Sequence, residues 1–273
     1  MGAGLGSLLL RAAYRRLRRG SLDGRTVVVT GASSGLGAAL AREAASRGAR
    51  LVLLARSLDK LASLAAELSP SRVVYRYCDL ADGDSDLGSL LKECLSQLGS
   101  SRIQLLVNCA GLSVRASCAE TTMAVHRRLM EVNYFGQVAM TQAALPFLSK
   151  GSTLLMVSSV QGLMAIPHRS AYAASKHALQ AYSDSLRAEL SSEGVGVCVA
   201  SPGYLATELS ANALRGDGSI HGETDETTKG GLRPDLAARD ILDAALEGRH
   251  EFVLADFKVQ AALALRRLWP SLF

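Results

Sequence analysis

From Thr26 onward, short runs rich in valine and leucine alternate with stretches long enough to form a helix. The runs are Thr26–Thr30, Arg50–Ala55, Val73–Tyr77, Ile103–Val107, Thr153–Ser158, Val195–Ala200 and Phe252–Leu254. Several are apolar almost throughout, which is the pattern of strands buried on both faces. Amphipathic periodicity predicts helices over 36–47, 58–68, 86–98, 121–149, 168–192 and 234–247, the last opened by Pro234 and Asp235. Such alternation means βαβ units, and hence an α/β fold: a Rossmann-type doubly wound parallel sheet of about seven strands flanked by helices, in a single domain. Tyr204–Arg233 breaks the rhythm with Gly, Ser, Thr and Asp. A long irregular loop inside a compact domain is a functional lid or a disordered insertion. The expected organisation is a basic segment over 1–22, a domain over 23–255 with a substrate loop at 204–233, and an amphipathic tail over 256–273.

The first strand runs into Thr30-Gly31-Ala32-Ser33-Ser34-Gly35-Leu36-Gly37, which opens a helix. Glycines there allow a tight turn and close backbone approach to a pyrophosphate, whose charge the helix N-terminus favours. The spacing is GxxxGxG, not GxGxxG. Gly31, Ser33, Ser34, Gly35, Leu36 and Gly37 are therefore candidate dinucleotide contacts. At the end of the second strand, where a carboxylate would bind the ribose 2′-hydroxyl of NAD, the chain has Arg56 followed by Ser57. An arginine fits a 2′-phosphate, so the expected cofactor is NADP(H); the alternative is an ordinary surface arginine. Asp79, with Leu80 after it, is placed either to meet an adenine amino group or to cap the next helix.

Tyr172 and Lys176 stand one helical turn apart, with Ser159 at a strand end upstream. A tyrosine is a poor acid or base at neutral pH until its pKa of about 10 is lowered. An ammonium at i+4 shares its helix face and can do that. Ser159 would then hydrogen-bond the oxygen of a reacting carbonyl. His168 and His177 flank this pair and read as ordinary loop and helix residues, and Arg127, Arg128 and Glu131 as a solvated or subunit-facing charge patch.

Nine of the 30 basic residues lie in the two ends, so nucleic acid is not an expected partner. The five cysteines, Cys78, Cys94, Cys109, Cys118 and Cys198, lack CxxC pairing and mostly adjoin apolar runs, which reads as buried thiols in a reducing compartment. No His/Cys cluster has ligand spacing, so no metal is expected. Residues 1–22 contain five arginines, no acid and the run Leu8-Leu9-Leu10. That is an interfacial anchor, a targeting segment or a frayed extension. The tail from Val259 to Pro270, with Trp269, is a second amphipathic candidate.

Gly31/Gly35/Gly37, Asn108-Cys109-Ala110-Gly111, Asn133, Ser159, Tyr172, Lys176 and Ser201-Pro202-Gly203 together resemble the motif set of the short-chain dehydrogenase/reductase family. The resemblance spans residues 24 to 255 in unbroken order, with Cys109 where the family usually has a second asparagine. It implies that Tyr172, Lys176, Ser159 and Asn133 are catalytic. Tyr172 would exchange the proton with the carbonyl oxygen, Lys176 would hold the nicotinamide ribose, and Asn133 would hold a relay water. It further implies cofactor contacts from Asn108, Ala110, Gly111, Pro202 and Gly203. Thr207 resembles a phosphate-contacting threonine, or is a helix cap. Two long helices, 121–149 and 168–192, resemble those that join subunits into a homodimer or homotetramer. The text around Asn133-Tyr134-Phe135-Gly136 is similar to a branch of membrane-associated NADPH-type reductases of the endoplasmic reticulum or peroxisome, linked to ether-lipid precursors.

The expected activity is NADPH-dependent reduction of a lipophilic ketone or aldehyde under two roofing segments, Gln161–Arg169 and Tyr204–Arg233. An acyl- or alkyl-dihydroxyacetone phosphate is one candidate substrate, and steroid or retinoid carbonyls are the alternative. A catalytically vestigial nucleotide-binding interaction protein is the competing class. Association with a membrane would be peripheral.

Overall fold

A computed structural model describes residues 20–69, 72–83 and 85–272. The seven strands form one parallel sheet: β1 (Thr26–Thr30), β2 (Arg50–Ala55), β3 (Val73–Tyr77), β4 (Leu105–Asn108), β5 (Thr153–Val157), β6 (Gly196–Pro202) and β7 (Glu251–Leu254). Their order is β3-β2-β1-β4-β5-β6-β7. The order reverses between β1 and β4, and in open α/β sheets that switch point is where ligands bind.

The strands are apolar throughout because helices cover both faces. Val27 and Val29 point to one side and Val28 to the other, as the two-residue pleat requires. The first side packs on α1 (Gly35–Ser46), α2 (Leu58–Leu68) and α8 (Pro234–Leu246), the second on α3 (Leu87–Gln97), α5 (Gly136–Ala144) and α6 (Ser170–Leu190). Leu22 is already part of the first core and donates its N–H to the Arg47 carbonyl. The domain therefore begins inside the segment 1–22 assigned to the basic extension; residues 1–19 lie outside the described residues.

The single helix expected over 121–149 is broken into four pieces. They are α4 (Met123–Met130), a π-helical segment (Glu131–Phe135), α5 and a 3₁₀ turn (Leu145–Phe147) containing Pro146. Glycine at 136 is required by packing, since a Cβ there would run into the Leu80 carbonyl oxygen. Helix α6 starts at Ser170, later than expected, because His168 sits at φ 61° and cannot be helical. The loop 204–233 carries a short helix, α7 (Glu226–Lys229), and isolated bridges tie Leu214 to Val114 and Leu205 to Leu232. After β7 the chain forms α9 (Phe257–Leu268). No helix among the described residues is long and apolar enough to cross a membrane.

Candidate active site

Strand β1 delivers the chain to Gly31 at φ 67°, where a Cβ would press to 2.7 Å from the Ala110 Cα. Gly35 stands at φ 53° with Thr207 against it, and a Cβ on Gly37 would collide with the Gly31 carbonyl. Each glycine thus answers a separate steric demand. Thr30 pins the switch point: its Oγ1 accepts from the N–H groups of Cys109 (3.1 Å) and Ala110 (3.3 Å). Ser34, the N-cap of α1, makes no side-chain capping bond, which leaves its hydroxyl and the first-turn N–H groups without intrahelical partners.

Around this loop lies a cleft of about 500 Å³. Gly31, Ser33, Ser34, Gly35, Leu36, Gly37, Arg56, Ser57, Asp79, Leu80, Ala110, Gly111, Ser159, Tyr172, Lys176, Pro202, Gly203 and Thr207 all line it. Two expected residues do not. Asn108 is fully buried beneath the β4 turn and donates to Thr141 Oγ1 at 2.9 Å, so it holds the turn from behind. Asn133 is also fully buried and lies behind the wall.

At the β2 end Arg56 is exposed, and no carboxylate pairs with it among the described residues. Lys60, one turn into α2, lines the cleft as well and approaches Glu208 at 3.6 Å. Asp79 is not a helix cap; that role belongs to Asp86, which accepts from Ser89 N at 2.9 Å. Asp79 accepts from Ala81 N (3.0 Å) and from Arg128 Nη2 (3.5 Å). Arg128 therefore lines the cleft, its side chain still partly exposed. Thr207 is not a helix cap either, and its hydroxyl accepts from Leu209 N at 3.4 Å in an irregular turn.

Ser159, Tyr172 and Lys176 meet at the ends of β5 and β6. Ser159 Oγ accepts from Gln161 N at 3.1 Å. Tyr172 and Lys176 are buried on one face of α6, with Lys176 Nζ 6.0 Å from the tyrosine ring centre and donating to the Val157 carbonyl at 2.9 Å. Burial pushes the Tyr172 phenol up, while its hydrogen bond with Ser159 and the charge of Arg115 pull it down. Burial pushes the Lys176 ammonium down to about 8. For Tyr172 the net direction is upward, and the cation that opposes it is Arg115, four residues past Gly111.

The π-helical segment presents Asn133 to the chain crossing above it. Its Oδ1 accepts from Leu112 N (2.7 Å), and its Nδ2 donates to Leu112 O (2.9 Å) and Ser175 Oγ (2.9 Å). A Cβ on Gly111 would lie 3.3 Å from Asn133 Oδ1 and 3.6 Å from Lys176 Nζ, so the three converge at that glycine.

In the loop 204–233, Asp225 is a hub. It pairs with Arg115 (2.7 Å) and Arg169 (3.4 Å), and His221 stands 3.7 Å away. The loop lines the cleft through ten residues, including Tyr204, Leu209, Leu214 and Ile220. The other expected roof, Gln161–Arg169, contributes Gln161 alone. His168 does not line the cleft, and His177 Nδ1 meets the Ala173 carbonyl at 2.8 Å. The cysteines are not uniformly buried: Cys118 is exposed, and Cys109 lines the cleft, its thiol pushed up to about 12 by burial.

Comparison with known proteins gives a consistent picture. The family model described as short chain dehydrogenase matches residues 25–217. Dehydrogenase/reductase SDR family member 7B of Danio rerio is 42% identical, covering 100% of this chain and 94% of the relative. Dehydrogenase/reductase SDR family protein 7-like of Drosophila melanogaster is 41% identical over 93% of this chain and 80% of its own length. A short chain dehydrogenase/reductase from Burkholderia phymatum, solved in complex with NAD, superimposes with a TM-score of 0.81 at 23% identity over 93% of this chain and 96% of its own.

Proposed function

The chain belongs to the short-chain dehydrogenase/reductase family, and on that premise we propose that it is an NADPH-dependent reductase of a lipophilic ketone or aldehyde. The observation that carries the reading is the convergence of Ser159, Tyr172 and Lys176 in one cleft with the glycine loop and Arg56.

The residues present fit a nicotinamide dinucleotide. The uncapped N-terminus of α1, with Ser33 and Ser34, suits a pyrophosphate. Arg56, Ser57 and Lys60 suit a 2′-phosphate, which supports NADPH over NADH. Ala110, Gly111, Pro202, Gly203 and Thr207 line the end beside Tyr172, where the nicotinamide half would lie. The bound dinucleotide supplies the hydride.

Tyr172 gives the proton to the substrate oxygen. Because burial raises its phenol, it holds that proton across the neutral range, as an acid for reduction must. Ser159 donates to the same oxygen and orients it. Lys176, at about 8, is the group able to refill Tyr172 near physiological pH. Asn133 acts one layer back, locking the Leu112 backbone beside Gly111 and Lys176. Leu112, Val132, Leu209, Leu214 and Ile220 give the cleft an apolar wall, which supports a lipophilic substrate.

The reading includes assembly as a homodimer or homotetramer through α4–α6, where Met123 and Phe135 are exposed, and peripheral association with endoplasmic reticulum or peroxisomal membrane. The test is NADPH consumption across a panel of long-chain acyl dihydroxyacetone phosphate, steroid ketone, retinal and quinone. Turnover of one member, reduced by about 10²-fold or more in Tyr172→Phe with NADPH binding retained, is the expected result. NADPH binding without turnover of any carbonyl would refute it in favour of a nucleotide-binding interaction protein.

A further inference from the structure

Helix α9 has no buried residue, an unusual condition for a helix of 12 residues packed on a domain. Its outward stripe runs Phe257, Ala261, Ala264, Leu268, the i, i+4, i+7, i+11 series that shares one face. The stripe is entirely apolar, and its ends are 84% and 63% exposed at Phe257 and Leu268. Trp269 and Leu272 continue it beyond the helix, 58% and 71% exposed. At 100° per residue, Lys258 flanks the stripe on one side and Arg267 on the other. No acidic side chain occurs from Phe257 to Leu272; the nearest, Asp256, is the N-cap and accepts from Val259 N. An ordinary surface helix turns its apolar stripe inward. This one has partly buried apolar residues inward, at Val259, Ala262 and Leu263, and carries a second apolar stripe outward between cations.

We propose that the face formed by α9 and Trp269 docks on an anionic lipid surface. The charge pattern selects this occupant: an apolar stripe with an interfacial tryptophan and cationic margins matches the headgroup boundary of an anionic leaflet. The helix is tied to the domain from the side opposite this stripe. Helix α9 leaves directly from β7, whose Leu254 carbonyl accepts from Gly203 N at 2.9 Å, and Arg266 Nη1 donates to the Leu163 carbonyl at 2.7 Å. The proposal rests on, and gives a surface to, the peripheral membrane association in the proposed function, and stands apart from the reductase chemistry.

Trp269 is the only tryptophan, so its fluorescence reports this face alone, whatever the arginine-rich residues 1–22 do. The full chain is titrated with vesicles of phosphatidylcholine containing phosphatidylserine, with pure phosphatidylcholine vesicles, and with vesicles carrying brominated acyl chains. The expected result is a blue shift on anionic vesicles, little on neutral ones, and quenching by the brominated chains. Lys258→Glu with Arg267→Glu raises the half-saturating lipid concentration at least about tenfold, with the melting temperature unchanged because both side chains are exposed. Trp269 emission that stays constant while the protein co-sediments with vesicles overturns the proposal, since another segment is then the anchor. A shift that follows protein concentration without lipid also overturns it, and assigns the face to a second copy of the chain.

Discussion

Lys176 should hold the fold back for the sake of its chemistry, and replacing it by methionine should show this. The residue is 3% exposed, and burial takes its ammonium from an ordinary 10.5 to about 8. At about 1.4 kcal/mol per pKa unit, keeping it charged at pH 7 costs the folded state about 3 kcal/mol. Methionine fills similar space without charge. It forfeits the bond to the Val157 carbonyl, which is worth about 1 kcal/mol.

The cofactor-free Lys176→Met protein is therefore expected to be more stable at pH 7 by about 2 kcal/mol, a rise in melting temperature of about 4–8 °C, while losing turnover. The sign with pH follows from proton counting. Between about 8 and 10.5 the unfolded chain holds this proton and the folded chain does not, so wild-type stability rises with pH across that window. Methionine removes the effect. The gap between the two proteins should close as pH approaches 10.5, measured by denaturant midpoints at several pH values. A variant that melts below wild type at pH 7, or a gap indifferent to pH, would refute the reasoning.

Arg56→Asp should move the ratio of kcat/KM for NADPH over NADH toward NADH by about tenfold or more, as a phosphate-binding cation becomes a ribose-binding carboxylate; an unchanged ratio removes Arg56 from the cofactor site. The kcat/KM for reduction should fall as pH rises through about 8, where Lys176 loses its proton, and a flat profile to pH 9 would contradict that role. Arg115→Gln removes the charge that lowers Tyr172, so the profile of the oxidation direction should move to higher pH. It also takes from Asp225 its closest partner while leaving Arg169, which should cost about 1 kcal/mol in a thermal melt. Gly37→Ala should abolish cofactor binding in a fluorescence titration, because its Cβ would displace the Gly31 carbonyl.

The sheet was legible because its strands are buried on both faces and so read as unbroken apolar runs. The misplacements lie at strand ends, where pairing is set by a distant neighbour: Ile103 gives its N–H to Phe147 and so falls outside β4, whereas Pro202 pairs with Leu254 and extends β6. The glycine loop, Ser159, Tyr172 and Lys176 were legible because each answers a local demand of spacing or sterics. Arg115 and Arg128 were not. Their partners Asp225 and Asp79 are 110 and 49 residues away, and no local periodicity encodes such a pairing. Asn108 shows the opposite failure, a polar residue in the right motif that the fold uses to hold Thr141.

The π-helical segment over Glu131–Phe135 has an arithmetic consequence. Such a segment carries a residue more than a regular helix would, so deleting one position would restore ordinary α-helical winding. That same deletion would leave Met140 and Ala144 facing the core beneath the sheet, because the extra residue is absorbed within the wide turn itself. Substitution can change which side chain stands at position 133. Changing the count of residues there would instead flatten the bulge that carries Asn133 to Leu112 and Ser175, so a deletion the core behind it scarcely registers would be felt beside Lys176.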